Sequence, residues 1–294
     1  MTVRINSVSA LRALQSMESN SINLARSLER LSSGLRINTG GDDPAGLIIS
    51  EQLRGQINGL KAATRAVGES VNFFRVVEAA LNEVSTLLIN LRGMAIIGVN
   101  GATSQDQRNA LNFEFQNATD SIQRISQTSR FGTDRIFGTV SGANVARTFQ
   151  LTENAGSTGD SVQFTFADFS RAGSITVNGI TIAFSSVFLL IASSNLLSSG
   201  SASIALGRIS QAITSISTYR GALGAFQRNI FESQQRFLAI SIQNLTASES
   251  FIRDANIPEE TISLTRNQIL VQASTAMLAQ ANFVTQNLLS LLQG

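Results

Sequence analysis

The residues closest to catalytic type are two adjacent carboxylate pairs, Asp42 with Asp43 and Glu259 with Glu260, and the chemistry they could do is general acid and base catalysis. Each pair has a plainer reading. In GGDDPAG, Asp43 is placed to cap a helix whose first position is Pro44, and Asp42 adds negative charge near the positive end of that helix dipole. Glu259 and Glu260 follow Pro258 and read as first-turn residues of a second helix. The chain contains no Cys, His or Trp, which removes thiolate nucleophiles, disulfides, imidazole catalysis and His- or Cys-ligated metals. No glycine loop ends in Gly-Lys-Ser/Thr, and the glycines near residue 40 follow no strand. No cofactor, metal or catalytic residue is expected, and the protein reads as not an enzyme. The sequons at Asn117 and Asn244 fall on predicted helices and carry no weight.

Composition narrows the partners. Charged residues are 14% of the 294, against about 25% in ordinary soluble proteins. Net charge is +2, and the basic residues are arginines scattered from Arg4 to Arg266, with Lys61 the single lysine, so no block exists to bind nucleic acid. The first residues, MTVRINSVSALRALQS, hold no apolar run of signal-peptide length, and an uncleaved N-terminus is expected. No apolar stretch is long enough for membrane insertion. The tail after Arg266 lacks any charge yet carries many amides, among them Gln268, Gln272, Gln280, Asn282, Gln286, Asn287 and Gln293, too many for lipid. A helix that avoids both charge and lipid belongs inside protein.

The elements that would position such a helix are legible as heptads. Leu270, Ala273, Met277, Ala281, Val284, Leu288 and Leu291 follow one another at steps of three and four, the spacing of a coiled-coil seam. Ala10, Leu14, Met17, Ser21, Leu24, Leu28, Leu31 and Leu35 form a matching seam at the other end of the chain. The two terminal helices are expected to pair. Ile269, Ala276, Phe283, Leu289 and Leu292 widen the C-terminal apolar surface beyond one partner helix, which points to further copies of the chain, while an intramolecular hairpin alone is the alternative.

Between the seams lie two more stripes, Val77, Leu81, Val84, Leu88, Leu91 and Ala95, and Ile209, Ile213, Ile216, Tyr219, Leu223, Phe226 and Ile230. They predict helices over 44–99 and 203–254, each about 75–85 Å long at 1.5 Å per residue, despite Gly55, Gly59, Gly68, Gly93 and Gly98 in the first. A third helix is predicted over 104–128, opened by a capping box of Ser104 and Gln107. Residues 130–200 alternate apolar and polar in FQL, VQFTFADF and SITVNGITIAF, and the Asn178-Gly179 pair signals a tight hairpin. SSVFLLIASSNLL at 185–197 fits either a strand or a helical turn. The fold expected is mainly α: an elongated rod of long coiled-coil-like helices formed by both chain ends, with a small β-rich insert in the middle.

These residues resemble a known family. SSGLRINTGGDDPAGLIISEQLRGQINGL (32–60), ALNEVSTLLINLRGMAIIGVNG (80–101), SRFGTDRIF (129–137) and FIRDANIPEETISLTRNQILVQASTAMLAQANFVTQNLLSLL (251–292) are similar to the two ends of bacterial flagellin. The resemblance covers roughly the first 140 and last 90 residues around a dissimilar middle. It implies three parts: 1–40 with 255–294 as a terminal filament-core coiled coil, 41–140 with 202–254 as a helical rod, and 141–201 as a small variable outward domain. It further implies type III export, an extracellular filament that acts as the swimming propeller, and a homopolymer whose core seam holds Leu14, Met17, Leu24, Leu28, Leu31, Leu35, Leu270, Ala273, Met277, Val284, Leu288 and Leu291. An export chaperone, the cap and the hook-junction proteins are the implied partners.

Departures from the family pattern matter too. Members recognised by the innate immune receptor for flagellin carry Arg, Leu and Glu where this sequence has Asn90, Met94 and Glu114, so weakened receptor binding is expected. Pro44 and Pro258 replace residues that are often not proline, both at helix starts. The rival within the resemblance is the hook–filament junction protein; GLRIN followed by DDPAGLIIS, and the LAQANFVTQNLLSLL tail, favour the filament subunit.

Overall fold

A computed structural model describes residues 8–137, 145–152, 161–166, 173–177, 180–184 and 191–293. In chain order it contains α1 (Val8–Ser33), α2 (Pro44–Val99), α3 (Gln105–Thr128), the short strands β1 (Arg130–Phe131) and β2 (Asp134–Arg135), then β3 (Val145–Gln150), β4 (Ser161–Phe166), β5 (Gly173–Val177) and β6 (Ile180–Phe184). There follow α4 (Ser199–Phe226), a π-helical turn (Gln227–Glu232), α5 (Ser233–Arg253) and α6 (Ile257–Gln293). The chain divides into two compact units, residues 1–57 with 243–294, and residues 58–242.

The predicted helix boundaries and caps have physical counterparts. Asp43 accepts a hydrogen bond from the Gly46 amide at 2.9 Å, and α2 begins at Pro44 as expected. Gly46 admits no side chain, because a Cβ there would meet Asp43 Oδ2 at 2.5 Å and Ile37 Cδ1 at 2.7 Å. Asp42 accepts from the Thr39 amide, the Thr39 hydroxyl and the Asn38 amide, and the Thr39 amide above all holds its carboxyl below the usual range. The aspartate pair is therefore committed to the loop and cap. Helix α2 runs unbroken through its glycines. At α3, Ser104 and Gln107 form the reciprocal capping box.

The carboxyl end of α2 is capped as thoroughly as its start. Arg108, buried, donates to the carbonyls of Gly98 and Asn100, the latter at 2.9 Å. Thr103 Oγ1 donates to the Ile97 carbonyl and Ser199 Oγ to that of Val99, both at 2.8 Å. Four successive carbonyls thus find donors, and the buried cation sits at the negative end of the helix dipole.

Unit 58–242 holds the dense core. Val77, Leu81, Val84, Leu88, Leu91 and Ala95 are all completely buried, the full stripe read from the sequence. On α4 the buried stripe is Ala202, Ala205, Ile209, Ala212, Ile216, Tyr219, Leu223 and Phe226. Here the structure departs from the expected spacing: Ile213 is only half-buried beside Ala212, and past Phe226 the buried residue is Phe231 rather than Ile230. The first departure lies within regular α-helix, whose buried residues step evenly by three and four up to Phe226; the second follows from the π-helical turn, which inserts one residue into the repeat.

The same unit joins its strands to its helices through phenylalanines. β3, β4, β5 and β6 form an antiparallel meander in that order. On β4, Val162, Phe164 and Phe166 are buried while Ser161 and Gln163 are exposed, the alternation of a one-sided strand. Phe74 of α2 stacks on Phe226 at 5.4 Å and lies 5.1–5.2 Å from Phe231, Phe149 and Phe164. Phe73 touches Phe131, Phe149 and Phe166 at 5.2–5.6 Å, with the Arg147 guanidinium over its face at 5.2 Å. Each such pair contributes about 0.5–1.5 kcal/mol beyond area burial. β5 and β6 pair with Val177 opposite Ile180; the expected Asn178-Gly179 turn lies outside the described residues, as does 185–190 of the ambiguous segment. Residues 191–192 are helical.

Candidate assembly surfaces

Unit 1–57 with 243–294 is built on the antiparallel pairing of α1 and α6. α1 ends because Gly34 turns to φ +72° and its amide bonds the Arg30 carbonyl at 2.8 Å. The chain then bridges to the far terminus: the Arg36 amide donates to the Arg253 carbonyl, the Ala255 amide to the Gly34 carbonyl, and Leu35 pairs with Asp254. Arg253 also reaches Glu51 at 2.7 Å, which with Arg54 holds that carboxyl below its ordinary value. Glu260, the better placed of the second carboxylate pair, lies 3.7 Å from Arg30.

The two helices do meet, as expected, but through a register that the sequence reading did not select. On α1 the half-buried or buried residues include Ala13, Met17, Asn20, Leu24, Ser27 and Leu31. On α6 they include Glu260, Leu264, Asn267, Val271, Ser274, Leu278 and Ala281. Both series step by four and three, so both are true heptad seams. Their members are small or polar at every second layer, and Asn20 Nδ2 donates to Ser274 Oγ across the pair at 3.5 Å.

Of the residues expected on the seam, Met17, Leu24 and Leu31 face inward, whereas Leu14 and Leu28 remain 48% and 50% exposed. Leu35 lies beyond the end of α1, in its bridge to Asp254, and so is no coiled-coil position. On α6, Leu270 (40% exposed), Ala273 and Met277 (66%) all point away from α1. Val284, Leu288 and Leu291 sit on the α6 backbone, and their side chains are outside the described residues. Within the single chain the contact uses smaller residues, one position away from the larger apolar ones expected on the seam. The signal that identifies the inner seam is the seven-residue recurrence of Ala13, Asn20 and Ser27, matched by Asn267, Ser274 and Ala281.

Each helix of the pair therefore carries two adjacent apolar registers, one turned to its partner and one to solvent. The outward one comprises Leu11, Leu14, Ile22 and Leu28 on α1 and Ile262, Ile269, Leu270, Ala273 and Met277 on α6. A shallow apolar hollow bounded by Ile262, Thr265, Ile269 and Leu270 runs along the latter. Contiguous exposed apolar surface of this kind marks an interaction site.

A second, smaller feature belongs to unit 58–242. Asn90 is exposed and Met94 half-buried on α2, and Glu114 is exposed on α3, where it lines a groove with Ile97, Thr103, Gln107 and Leu111. Asn90, Met94 and Ile97 follow at helical spacing along one face. Among the described residues no cluster of acidic groups could hold a metal ion, and no helix is long and apolar enough to cross a membrane.

Comparison with known proteins agrees with these features. Residues 5–141 match the family described as bacterial flagellin N-terminal helical region, and residues 206–292 match bacterial flagellin C-terminal helical region. The chain is 34% identical to the flagellar filament 30.7 kDa core protein of Treponema maltophilum, over 98% of each chain. It is also 34% identical to a flagellin of Halalkalibacterium halodurans, over 97% of each. Among solved structures, a flagellar hook-associated protein from Vibrio parahaemolyticus aligns with a TM-score of 0.51 at 14% identity, over 72% of this chain and 99% of that one, a likeness of fold alone.

Proposed function

Since the chain belongs to the bacterial flagellin family, we infer that it is a structural, non-enzymatic subunit that polymerises into the flagellar filament outside the cell, and that the outward registers of α1 and α6 carry contacts between copies. The observation that supports this assignment is the exposed apolar register of α6, Ile262, Ile269, Leu270, Ala273 and Met277, on a helix whose opposite face is already paired. Burial of such a surface is favourable by about 25 cal/mol per Å², and a homopolymer buries it against further copies. In the sequence, Val284, Leu288 and Leu291 continue the same spacing. In this reading 1–40 with 255–294 line the filament core, 41–140 with 202–254 form the next layer, and 141–201 lies outermost.

The export chaperone, the filament cap and the hook-junction proteins complete the set of partners, and export through the flagellar type III apparatus delivers the subunit. Because Asn90 and Met94 replace the family's Arg and Leu beside a retained Glu114, recognition by the innate immune receptor for flagellin is weakened. A receptor reporter cell given this protein and its Asn90→Arg variant checks that point: the variant signals more strongly, and equal signals contradict it.

The assembly reading is tested by seeded growth, in which monomer is added to sheared filament fragments and length is followed by electron microscopy. The parent elongates continuously. Met277→Glu and Ile269→Glu, which set charge into the outward register, abolish elongation and leave the thermal transition of 58–242 in place. Elongation of both variants at the parent rate contradicts the surface assignment, and addition of a single layer by the parent contradicts the filament subunit in favour of a junction protein.

A further inference from the structure

The π-helical turn between α4 and α5 stands at the one place where the sequence offers two continuations of the same buried stripe. In an α-helix, residues five apart point about 140° away from each other. Phe226 and Phe231 nevertheless both meet Phe74, at 5.4 and 5.1 Å, and each other at 5.2 Å. The widened turn makes that possible, by bringing the fifth residue round to the face of the first. From there the buried series runs Phe231, then Leu238, and Gln234 donates to the Leu151 carbonyl at the end of β3, at 2.9 Å.

Without the widened turn, the spacing of three and four that precedes it continues differently. Leu223 and Phe226 lead to Ile230, Ser233, Phe237 and Ile240, an apolar stripe nearly as strong as the one in use. In the structure this second stripe is left over: Ile230 is half-buried, and Phe237 and Ile240 are each 58% exposed. Two large apolar residues on solvent at heptad spacing, one position out of step with the buried pair, have no role in the observed packing. The offset begins at the π turn and nowhere else in the described helix.

We propose that the segment from Phe226 to Ile242 is a one-residue register switch with two packed states. In the observed state the turn is π-helical, Phe231 fills the aromatic cluster and Leu238 the face below it. In the other the turn is α-helical, Ile230 takes the place of Phe231, and Phe237 and Ile240 become the buried face. Conversion rotates the helix beyond the turn by about 100° and breaks the bond from Gln234 to the Leu151 carbonyl, which follows β3. The β3–β4 hairpin and α5 are thereby coupled: a force or contact that displaces one favours the second register of the other. The proposal draws only on packing within residues 58–242 and is independent of the filament reading.

Deleting Asn229, an exposed residue of the turn, removes the extra residue, so that an ordinary α-helix carries Phe231 and Leu238 on the buried face and the observed register is locked. Because the chain has no cysteine, a thiol introduced by Leu238→Cys, buried in the observed register and uncovered in the second, reports the switch directly. In the parent this thiol is uncovered whenever the second register is visited and reacts with a maleimide; in the deletion variant, which cannot visit that register, it reacts slower by about tenfold or more, as expected for a group reached only through local opening, with a cooperative thermal transition retained. An equally fast thiol, or a deletion variant without a cooperative transition, overturns the proposal. A second comparison needs no deletion: Phe231→Ala lowers the thermal midpoint by less than about half of the shift caused by Phe226→Ala, since Ile230 stands ready to replace the first ring and nothing replaces the second. An equal or larger shift from Phe231→Ala overturns the proposal as well.

Discussion

The two units use the same heptad grammar and end in opposite states. In residues 58–242 the stripe from Val77 to Ala95 is wholly buried, and Phe73, Phe74, Phe149, Phe164, Phe166, Phe226 and Phe231 close around one another. In the α1–α6 pair hardly any apolar side chain is fully buried among the described residues, and the layers alternate Leu, Val or Met with Ala, Ser or Asn. Fixing a residue's backbone costs about 1–2 kcal/mol, which large buried side chains offset and small half-buried ones do not. One unit stabilises itself. The other presents its larger apolar residues outward and depends on what covers them.

The difference is broken most severely in the dense unit. Phe74→Ala removes a ring that touches at least five others and costs about 3–5 kcal/mol, read as a lower midpoint in guanidinium unfolding; a loss under about 1 kcal/mol would show that the cluster is not the core. Arg108→Met strips the donors from the Gly98 and Asn100 carbonyls and costs about 2–3 kcal/mol, with faster amide exchange near the carboxyl end of α2.

Tyr219 sharpens the contrast through pH. It is the only tyrosine, and burial first, then the Glu78 charge, raises its hydroxyl well above the ordinary value of 10.0. The unfolded chain gives up that proton as pH passes 10 while the folded one keeps it, so stability is fully present below 10 and falls as pH rises further. Absorbance of the single tyrosinate checks this: it appears together with unfolding, and a titration near 10 in the folded protein would contradict the burial.

The smallest effect is expected in the sparse unit. Leu24→Ala on the inner seam changes monomer stability by less than about 0.5 kcal/mol, because that contact is half-exposed in the single chain. The same substitution lowers the temperature at which filaments dissociate, where every copy repeats the loss. A monomer destabilised as strongly as by Phe74→Ala would erase the distinction between the units.

What the sequence disclosed follows the same division. Caps at Asp43 and Ser104, the α2 stripe and the strands were legible because each depends on local residues alone. The register of the terminal pair was not, since two adjacent heptads are available and residue type alone does not say which one packs against the other helix. Ala13, Asn20 and Ser27 face α6, while the more hydrophobic Leu14 and Leu28 stay free. The aromatic cluster escaped because it joins Phe74 to Phe149 and Phe164 across long stretches of chain, and the π turn because a single inserted residue disturbs a repeat without announcing itself in composition. Leu35 was misplaced for a local reason, as Gly34 ends the helix one residue before it.

Amide hydrogen exchange on the monomer and on the assembled filament tests the central claim most directly. The account predicts strong protection of α2 from residue 58 onward and of α4 in both samples, and protection of α1 and α6 only in the filament. Protection of α1 and α6 in the monomer equal to that of α4 would contradict it, because the terminal pair would then be stable without further copies.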